Sequence, residues 1–162
     1  MKTAVYTGSF DPITLGHLNV IQRGSRLFDR LVVGIGVNIE KVGLFEPQER
    51  LELARQVTAH LDNVEVMTFE GLAVNFVRQC DSQVVLRGVR PLTDIAGEFT
   101  MMMANRKLND ELETVFLMAD ADYAHVSSSL IKQITPTASD EQLAKFVPAA
   151  IIPVLREKMP SK

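Results

Sequence analysis

The sequence predicts an α/β fold in which a five-stranded parallel sheet is flanked by helices. Five short runs rich in β-branched and apolar residues alternate with segments of helical periodicity. These runs are Thr3–Tyr6, Leu31–Val37, Val64–Phe69, Gln83–Leu86 and Thr114–Met118. Strands that alternate with helices pair in parallel through right-handed crossovers, and the resulting sheet is covered on both faces.

Helical patterns fill the gaps between these runs. In the first two gaps, apolar residues recur at helical spacing and share one face. They are Val20, Ile21, Leu27 and Phe28 in the first gap, and Leu51, Ala54, Val57 and Leu61 in the second. Further helices are predicted at Leu72–Cys80 and Ile95–Leu108, from Ser128 to about Ile134, and over 140–158, where prolines interrupt the pattern.

The composition is that of an ordinary globular protein. The 162 residues are 46% hydrophobic and 23% charged, with a formal net charge of −3, which argues against a broad basic face for nucleic acid. The length predicts one domain over 1–162, with an α/β core at 1–118 and a loop with C-terminal helices at 119–162. A single cysteine, Cys80, and the lack of a signal-peptide or membrane-spanning pattern favour a cytoplasmic location without a membrane partner.

Each predicted strand is followed directly by a polar or glycine-rich segment. In an open parallel sheet these segments all emerge at the carboxyl edge, where such folds bind ligands. They are Gly8–His17, Asn38–Phe45, Glu70–Ala73, Arg87–Pro91 and Ala119–Ser129. We therefore expect their side chains to converge on one site.

The segment 8–17, with the sequence Gly-Ser-Phe-Asp-Pro-Ile-Thr-Leu-Gly-His, predicts a seat for phosphate. It places His17 in the first turn of a helix, where unpaired backbone N–H groups and the helix dipole attract anions. A histidine in a first turn is on its own more often a polar surface residue. The Asp11-Pro12 pair favours a turn, and Asp11 serves equally well as a helix cap, so it receives no catalytic role.

Three other segments carry groups that can hold phosphate. Lys41 is a weak candidate, since most loop lysines are simply solvated. Arg87 and Arg90 suit bidentate phosphate contacts, and the alternative is a solvated loop or a surface ion pair with Asp94 or Glu98. Plain helix capping explains one serine of 127–129, whereas three serines followed by a lysine predict a second phosphate cradle.

Several other chemistries lack their residues in this sequence. The three histidines are widely separated, and no cysteine or glutamate completes a metal site with them. Neither a P-loop lysine motif nor a GxGxxG fingerprint occurs. Cys80 lies in an apolar helical pattern without an adjacent base, which argues against a nucleophilic role. Met101–Met103 are most simply explained by packing or a subunit contact.

The motif at 8–17, together with Ser127-Ser128-Ser129-x-Ile131-Lys132, resembles the nucleotidylyltransferase superfamily. Along nearly its whole length the chain is similar to the bacterial phosphopantetheine adenylyltransferase family. The superfamily more often has His-x-Gly-His at this motif. Thr14 replaces the first histidine here, and the phosphopantetheine adenylyltransferase family also has threonine at that position. The resemblance implies a Rossmann-like nucleotidyltransferase fold with a helical C-terminal segment.

The resemblance also implies an activity. The phosphate of 4′-phosphopantetheine would attack the α-phosphorus of ATP directly, giving dephospho-coenzyme A and pyrophosphate in the penultimate step of coenzyme A synthesis. His17 would stabilise the developing charge, while Lys41 and Arg87 would hold the incoming phosphate, and Mg²⁺ would accompany the phosphates. The protonation state of His17 stays open, because the helix terminus disfavours the cation and a bound triphosphate favours it.

Two sets of binding residues follow from the resemblance. Phosphopantetheine would contact Ser9, Lys41, Ala73 and Arg87. ATP would contact Ser9, Phe10, His17, Gly88, Val89, Arg90, Glu98, Tyr123, Ala124, His125, Val126, Ser127, Ser128 and Ser129. The family also leads us to expect a homohexamer and feedback inhibition by coenzyme A.

Three positions depart from the family pattern. Ser9 replaces the usual threonine, Gly97 replaces an aromatic residue, and Glu46 replaces a hydroxyl cap. None of these changes removes a proposed phosphate contact.

Two other functions remain open. One is a nucleotidyl transferase that uses nicotinate mononucleotide or a cytidylyl donor, against which the short chain, Thr14 and Lys41 argue. The other is a noncatalytic sensor of nucleotide or coenzyme A. We would expect such a sensor to lack His17 or one of the basic side chains that hold phosphate.

Overall fold

The computed structural model describes residues 1–38, 40, 42–90 and 94–160 and contains one five-stranded parallel sheet. The strands are β1 (Thr3–Gly8), β2 (Arg30–Val37), β3 (Val64–Glu70), β4 (Val84–Val89) and β5 (Glu113–Met118), in the spatial order β3-β2-β1-β4-β5. The predicted α/β fold with five parallel strands is confirmed. The strand boundaries differ from the predicted ones by one to three residues. The largest difference is at β4, which continues to Val89 and so includes Arg87 and Gly88, which we expected in the following loop.

The helices alternate with the strands and then follow one another in the C-terminal segment. They are α1 (Leu15–Leu27), α2 (Pro47–Thr58), α3 (Ala73–Gln79), α4 (Ile95–Leu108), α5 (Ser128–Ile134), α6 (Asp140–Leu143) and α7 (Ile152–Lys158), with 3-10 turns at Ala121–Tyr123 and Ala149–Ile151. The pattern over 140–158 thus becomes two short helices and a turn that begins after Pro148. Within the described ranges, no helix is long and apolar enough to cross a membrane.

The central strands are buried on both faces, as the continuous apolar runs predict. Alternate residues of β1 serve two clusters, with Ala4 and Tyr6 on one face and Val5 on the other. The larger cluster also contains apolar side chains of α1, α2 and the C-terminal segment, among them Leu143 and Leu155. The helices after residue 118 therefore pack on the same core as the sheet.

Helix α1 lies close against β4. Val20 and Ile21 are buried as predicted, whereas Leu27 is 57% exposed because it forms the free end of the helix. Gly24 makes the close approach possible, since a Cβ atom there would lie 2.5 Å from Leu86 Cδ2. Glycine at this position lowers helix stability by about 1 kcal/mol relative to alanine, and in return it lets α1 pack closely against β4.

The chain order reverses between the neighbouring strands β1 and β4. From β1 the chain moves to β2 on one side, while β4 leads to β5 on the other. The segments that follow β1 and β4 consequently diverge and leave a crevice at the carboxyl edge of the sheet. Ligands of open α/β folds bind at such a reversal.

Candidate active site

A cavity of about 290 Å³ opens between the ends of β1 and β4. It is bordered by the N-terminal turn of α1, by α4, and by the segment that leads into α5. Most of the predicted site residues line it, namely Ser9, Phe10, His17, Arg87, Gly88, Arg90, Glu98, Tyr123, Val126, Ser127 and Ser128. The expected convergence is therefore found for the segments after β1, β4 and β5, whereas no described residue of the segments after β2 and β3 lines this cavity.

The remaining predicted residues lie away from the cavity wall or cannot be placed. Val89, Ala73, Ala124, His125 and Ser129 do not border this cavity. Lys41 lies outside the described residues. The assignments of all six to substrate binding stay predictions.

A capping box orients His17 at the start of α1. The Thr14 side chain accepts a hydrogen bond from the His17 backbone N–H at 3.3 Å, and the Thr14 N–H donates to Nδ1 of His17 at 3.0 Å. Because Nδ1 accepts, the neutral ring carries its proton on Nε2. Nδ1 is thus committed to the protein, which leaves Nε2–H as the donor available to a ligand.

His17 is held neutral. Burial, with smaller contributions from the positive charges of Arg87 and Arg90, lowers the pKa of the imidazole from 6.5 to about 4. Protonation would also break the hydrogen bond that Nδ1 accepts from Thr14. The Phe10 ring packs edge-on against His17 at a centroid distance of 4.9 Å. In the ligand-free protein His17 is therefore an uncharged donor in a fixed orientation.

Asp11 fixes the loop after β1, and it does not cap α1. Its carboxylate accepts hydrogen bonds from the backbone N–H groups of Leu44 and Phe45, both at 2.8 Å, and from Lys132 at 2.9 Å. Burial alone would raise the pKa of Asp11, but these three donors outweigh it and hold the pKa below its usual range. Asp11 therefore ties together three separate parts of the chain.

The two arginines that we expected to hold phosphate are each paired with a carboxylate of the α4 region. Arg87 makes a bidentate ion pair with Glu98 at 2.7 and 2.5 Å, and it also donates to the Thr7 carbonyl. Arg90 makes a similar pair with Asp94 at 2.8 and 2.9 Å. The ion-pair alternative is thus correct for the ligand-free state, although both side chains still border the cavity.

The serines before α5 have separate partners. Ser127 is the N-cap and accepts from the Leu130 N–H at 3.1 Å, so plain capping explains it. Ser128 donates to the Pro12 carbonyl at 2.8 Å, which joins this segment to the loop after β1. Lys132, expected in the phosphate cradle, is instead paired with Asp11.

The sequence reasoning missed a polar network that anchors the loop after β5. Arg23 donates to the Met118 carbonyl at 2.6 Å and to Asp120 at 3.0 Å, and Asn19 donates to the other Asp120 oxygen at 2.7 Å. Asp120 therefore holds the start of the segment 119–126 against α1. The i, i+4 spacing of Asn19 and Arg23 on the exposed face of α1 could have indicated a shared partner.

The cavity can orient and stabilise an anion, and it is poorly equipped for covalent catalysis. It presents the neutral donor His17, two guanidinium groups and the N-terminal turn of α1, and its lining includes no cysteine or lysine among the described residues. Tyr6 also borders it, and burial raises the pKa of that phenol to about 12, so the phenolate does not form near neutrality. In the described ranges, no cluster of three or more metal-ligating side chains occurs.

Structural neighbours support the same fold. A protein from Vibrio parahaemolyticus described as a nicotinate-nucleotide adenylyltransferase superposes with a TM-score of 0.72 at 16% identity, over 98% of this chain and 95% of that one. The nicotinic acid mononucleotide adenylyltransferase of Plasmodium falciparum superposes with a TM-score of 0.61 at 14% identity, over 97% and 96% of the two chains. At such low identity these likenesses establish the fold alone.

Sequence relatives identify the family. A cytidylyltransferase-like family model matches residues 5–134. A phosphopantetheine adenylyltransferase from Rhodopirellula baltica is 64% identical over 157 residues, covering 96% of this chain and 88% of the relative. Another, from Clostridium botulinum strain Eklund 17B, is 50% identical over 134 residues, covering 83% and 84%. The chain therefore belongs to the phosphopantetheine adenylyltransferase family, within the cytidylyltransferase-like group of nucleotidyltransferases.

Proposed function

We propose that this site transfers the adenylyl group of ATP to 4′-phosphopantetheine. A phosphate oxygen of the acceptor attacks the α-phosphorus in line, the bond from that phosphorus to the bridging oxygen breaks, and pyrophosphate leaves, so that dephospho-coenzyme A forms without a covalent enzyme intermediate. The observation that carries the proposal is the neutral, oriented His17 at the N-terminus of α1, in a cavity that two arginines also line. Transfer of this kind depends mainly on positioning and charge stabilisation.

His17 acts as a hydrogen-bond donor in this proposal. Its Nε2–H contacts a non-bridging oxygen of the α-phosphate, and this bond strengthens as negative charge develops in the transition state. Its pKa of about 4 in the ligand-free protein means that the ring enters the reaction as an uncharged donor and does not serve as a proton-accepting base. The bond between Thr14 N–H and Nδ1 keeps the orientation constant through the reaction.

Arg87 and Arg90 take up phosphate when substrate binds. In the ligand-free protein their charges are balanced by Glu98 and Asp94. Each guanidinium has N–H groups beyond those in its carboxylate pair, so a phosphate can be accommodated while the pair persists or is partly replaced. Arg87, with Lys41 and Ser9, takes the acceptor phosphate, while Arg90 takes the triphosphate.

The remaining ATP contacts follow from side-chain burial. Phe10 and Val126 line the cavity although each is buried as a whole residue, and we assign their contacts with ATP to backbone groups. Gly88 borders the cavity, and a Cβ atom there would lie 2.7 Å from Val20 Cγ2, which favours glycine at this position. Tyr123 and the serines 127–129 complete the ATP side, and Ala73 contacts the pantetheine arm.

Magnesium enters with the nucleotide. Mg²⁺ prefers phosphate oxygens and water and needs few protein ligands, which fits the cavity described above. When bound it would neutralise part of the triphosphate charge. The two carboxylates that line the cavity, Asp94 and Glu98, are engaged by arginines and would hold the ion only through water.

The exposed apolar surface of α4 supports self-association. None of its described side chains is buried, and Ile95, Phe99 and Met103, spaced four residues apart, form one apolar stripe. We propose that a second copy of the chain covers this stripe, as part of the homohexamer expected from the family. Feedback inhibition by coenzyme A at the same cavity and a cytoplasmic location complete the proposal, and both follow from the family.

A pyrophosphate-release assay tests the reaction. With ATP and 4′-phosphopantetheine we expect rapid release of pyrophosphate together with formation of dephospho-coenzyme A. Parallel reactions replace the acceptor with nicotinate mononucleotide, or ATP with CTP. Turnover confined to either replacement would overturn the choice of substrates, and binding of ATP without turnover of any pair would favour a sensor.

A further inference from the structure

Arg50 is a buried arginine with no carboxylate partner among the described residues. It lies in the first turns of α2 and is 8% exposed. Its Nη1 donates to the carbonyl oxygen of Ser9 at 2.9 Å and to that of Gly36 at 3.4 Å, and its Nε lacks a hydrogen-bond partner. Burying a guanidinium without a counterion is costly, which makes its position informative.

The two carbonyls that Arg50 binds lie where β1 leaves the sheet. The register between β1 and β2 ends with the pair Gly8 and Ile35, so Ser9 and Gly36 would form the next pair. At that point the chain turns away towards Pro12, and the Arg50 guanidinium binds both carbonyls in place of the backbone hydrogen bonds between the strands. The buried guanidinium therefore fixes the direction in which the loop after β1 departs.

Fixing the Ser9 carbonyl also orients the next backbone N–H. In a planar trans peptide the C=O and the following N–H point in opposite directions, so the Phe10 N–H points away from Arg50. Within the described part of the chain, this N–H has no hydrogen-bond acceptor. Phe10 has a φ of +47° and borders the cavity, while its side chain is held against Tyr6 and His17.

We propose that Arg50 is a positioning residue for adenylyl transfer, which holds the Ser9–Phe10 peptide so that the Phe10 N–H donates to a phosphate oxygen of ATP. The inference rests on the proposed function. Arg50 does not touch the substrate itself. Its effect on the reaction is carried by one oriented backbone donor beside His17.

The test compares two arginines of α2. Arg50→Lys keeps the charge but loses the planar donor group, and we expect kcat/KM for ATP to fall at least tenfold, mainly through kcat. The matched control is Arg55→Lys, because Arg55 also donates from α2 to a strand carbonyl, that of Val66 at 3.1 Å, but lies outside the site. We expect this control to stay within about twofold of the wild type.

Amide NMR separates positioning from simple stabilisation. When α,β-methylene ATP is added to the wild type, the Phe10 amide should shift together with those of Gly16 and His17. In folded Arg50→Lys the Phe10 shift should be lost, whereas the Arg55→Lys variant should retain it. A silent Phe10 amide in the wild type, or a folded Arg50→Lys variant with normal shifts and turnover, overturns the proposal.

A further measurement needs no variant and decides the matter if Arg50→Lys does not fold. The guanidinium hydrogens of Arg50 should exchange slowly and should shift when the analogue binds, and exchange as fast as that of Arg55 overturns the proposal. Failure of the proposed function gives a different result. In that case the wild type neither binds the analogue nor releases pyrophosphate, whereas failure of the Arg50 inference leaves both intact.

Discussion

At the scale of single residues, the site depends on how one histidine is held. The sequence places His17 at a helix N-terminus but leaves its charge open. In the ligand-free protein the charge follows from the Thr14 capping box, because the acceptor role of Nδ1 and the burial of the ring both favour the neutral form. Thr14 at the N-cap thus determines the tautomer of the group three residues later.

The first prediction concerns the donor itself. His17→Ala should lower kcat for pyrophosphate release at least a hundredfold and should change the ATP dissociation constant less than tenfold, because the lost bond is made mainly in the transition state. His17→Gln, whose amide nitrogen can replace Nε2–H, should retain part of the activity. His60→Ala, which alters an exposed histidine far from the cavity, is the control. A normal kcat for His17→Ala would remove His17 from the transition state.

The second prediction concerns the pH dependence of stability. The pKa of His17 is 6.5 in the unfolded chain and about 4 in the folded protein, so only the unfolded chain takes up this proton between those values. The free energy of unfolding should therefore fall as the pH decreases from about 6.5 towards 4. His17→Gln lacks this contribution. In urea denaturation, the free energy of unfolding of the wild type should therefore fall relative to that of the variant by on the order of 1 kcal/mol between pH 7 and pH 5.

Direct titration completes this test. The imidazole of ligand-free wild type, followed by NMR, should show no His17 titration between pH 6 and pH 8. A titration midpoint near 6.5 would mean that the ring is charged during part of that range, and the neutral-donor mechanism would then be wrong.

At the scale of secondary-structure elements, the site depends on how the loops at the sheet edge are tied together. Asp11 connects the loop after β1 with the segment before α2 and with α5. Ser128 adds a second link to the loop after β1 through the Pro12 carbonyl. The loop after β1 and the N-terminal part of α5, which we expected to bind phosphate together, are thus connected mainly by hydrogen bonds within the protein. Lys132 takes part in this connection.

The third prediction tests this connection at Asp11. Asp11→Asn removes the charge and leaves one oxygen for three donors, so the free energy of unfolding should fall by about 2 kcal/mol. Asp62→Asn, at an exposed position on the surface, should change it by less than about 0.5 kcal/mol. Because the pKa of Asp11 is lowered by folding, its contribution should be present above pH 4 and lost on further acidification. Equal stability of Asp11→Asn and wild type in urea would contradict this account.

At the scale of the whole molecule, the sheet and the location of the site were predictable from the sequence, and the partners of individual charges were not. The segments that follow parallel strands emerge at the carboxyl edge of the sheet, and this rule predicted that His17, Arg87 and Ser127 lie in one site. The partner of Arg50 could not be predicted, because it is a backbone carbonyl 41 residues away. The extent of β4 was also missed, since Arg87 and Gly88 read as loop residues although they pair with Phe116 and Leu117.

The last prediction concerns α4, whose charged and apolar residues have different tasks. Its N-terminal region holds Arg87 and Arg90 through Glu98 and Asp94, while its apolar stripe is exposed to solvent in the single chain. A covering copy of the chain would bury this stripe and thereby fix the helix that positions both arginines.

Sedimentation velocity provides the measurement. Wild type should sediment as an oligomer, and Phe99→Lys and Met103→Lys should shift it towards smaller species, because each places a charge inside an apolar contact. Leu27→Lys, at an exposed apolar position on the end of α1, should leave the oligomer intact. If α4 is fixed by its neighbour, the two α4 variants should also bind ATP more weakly at concentrations where they dissociate. A monomeric wild type, or α4 variants with an unchanged sedimentation coefficient, would show that the stripe is not the interface.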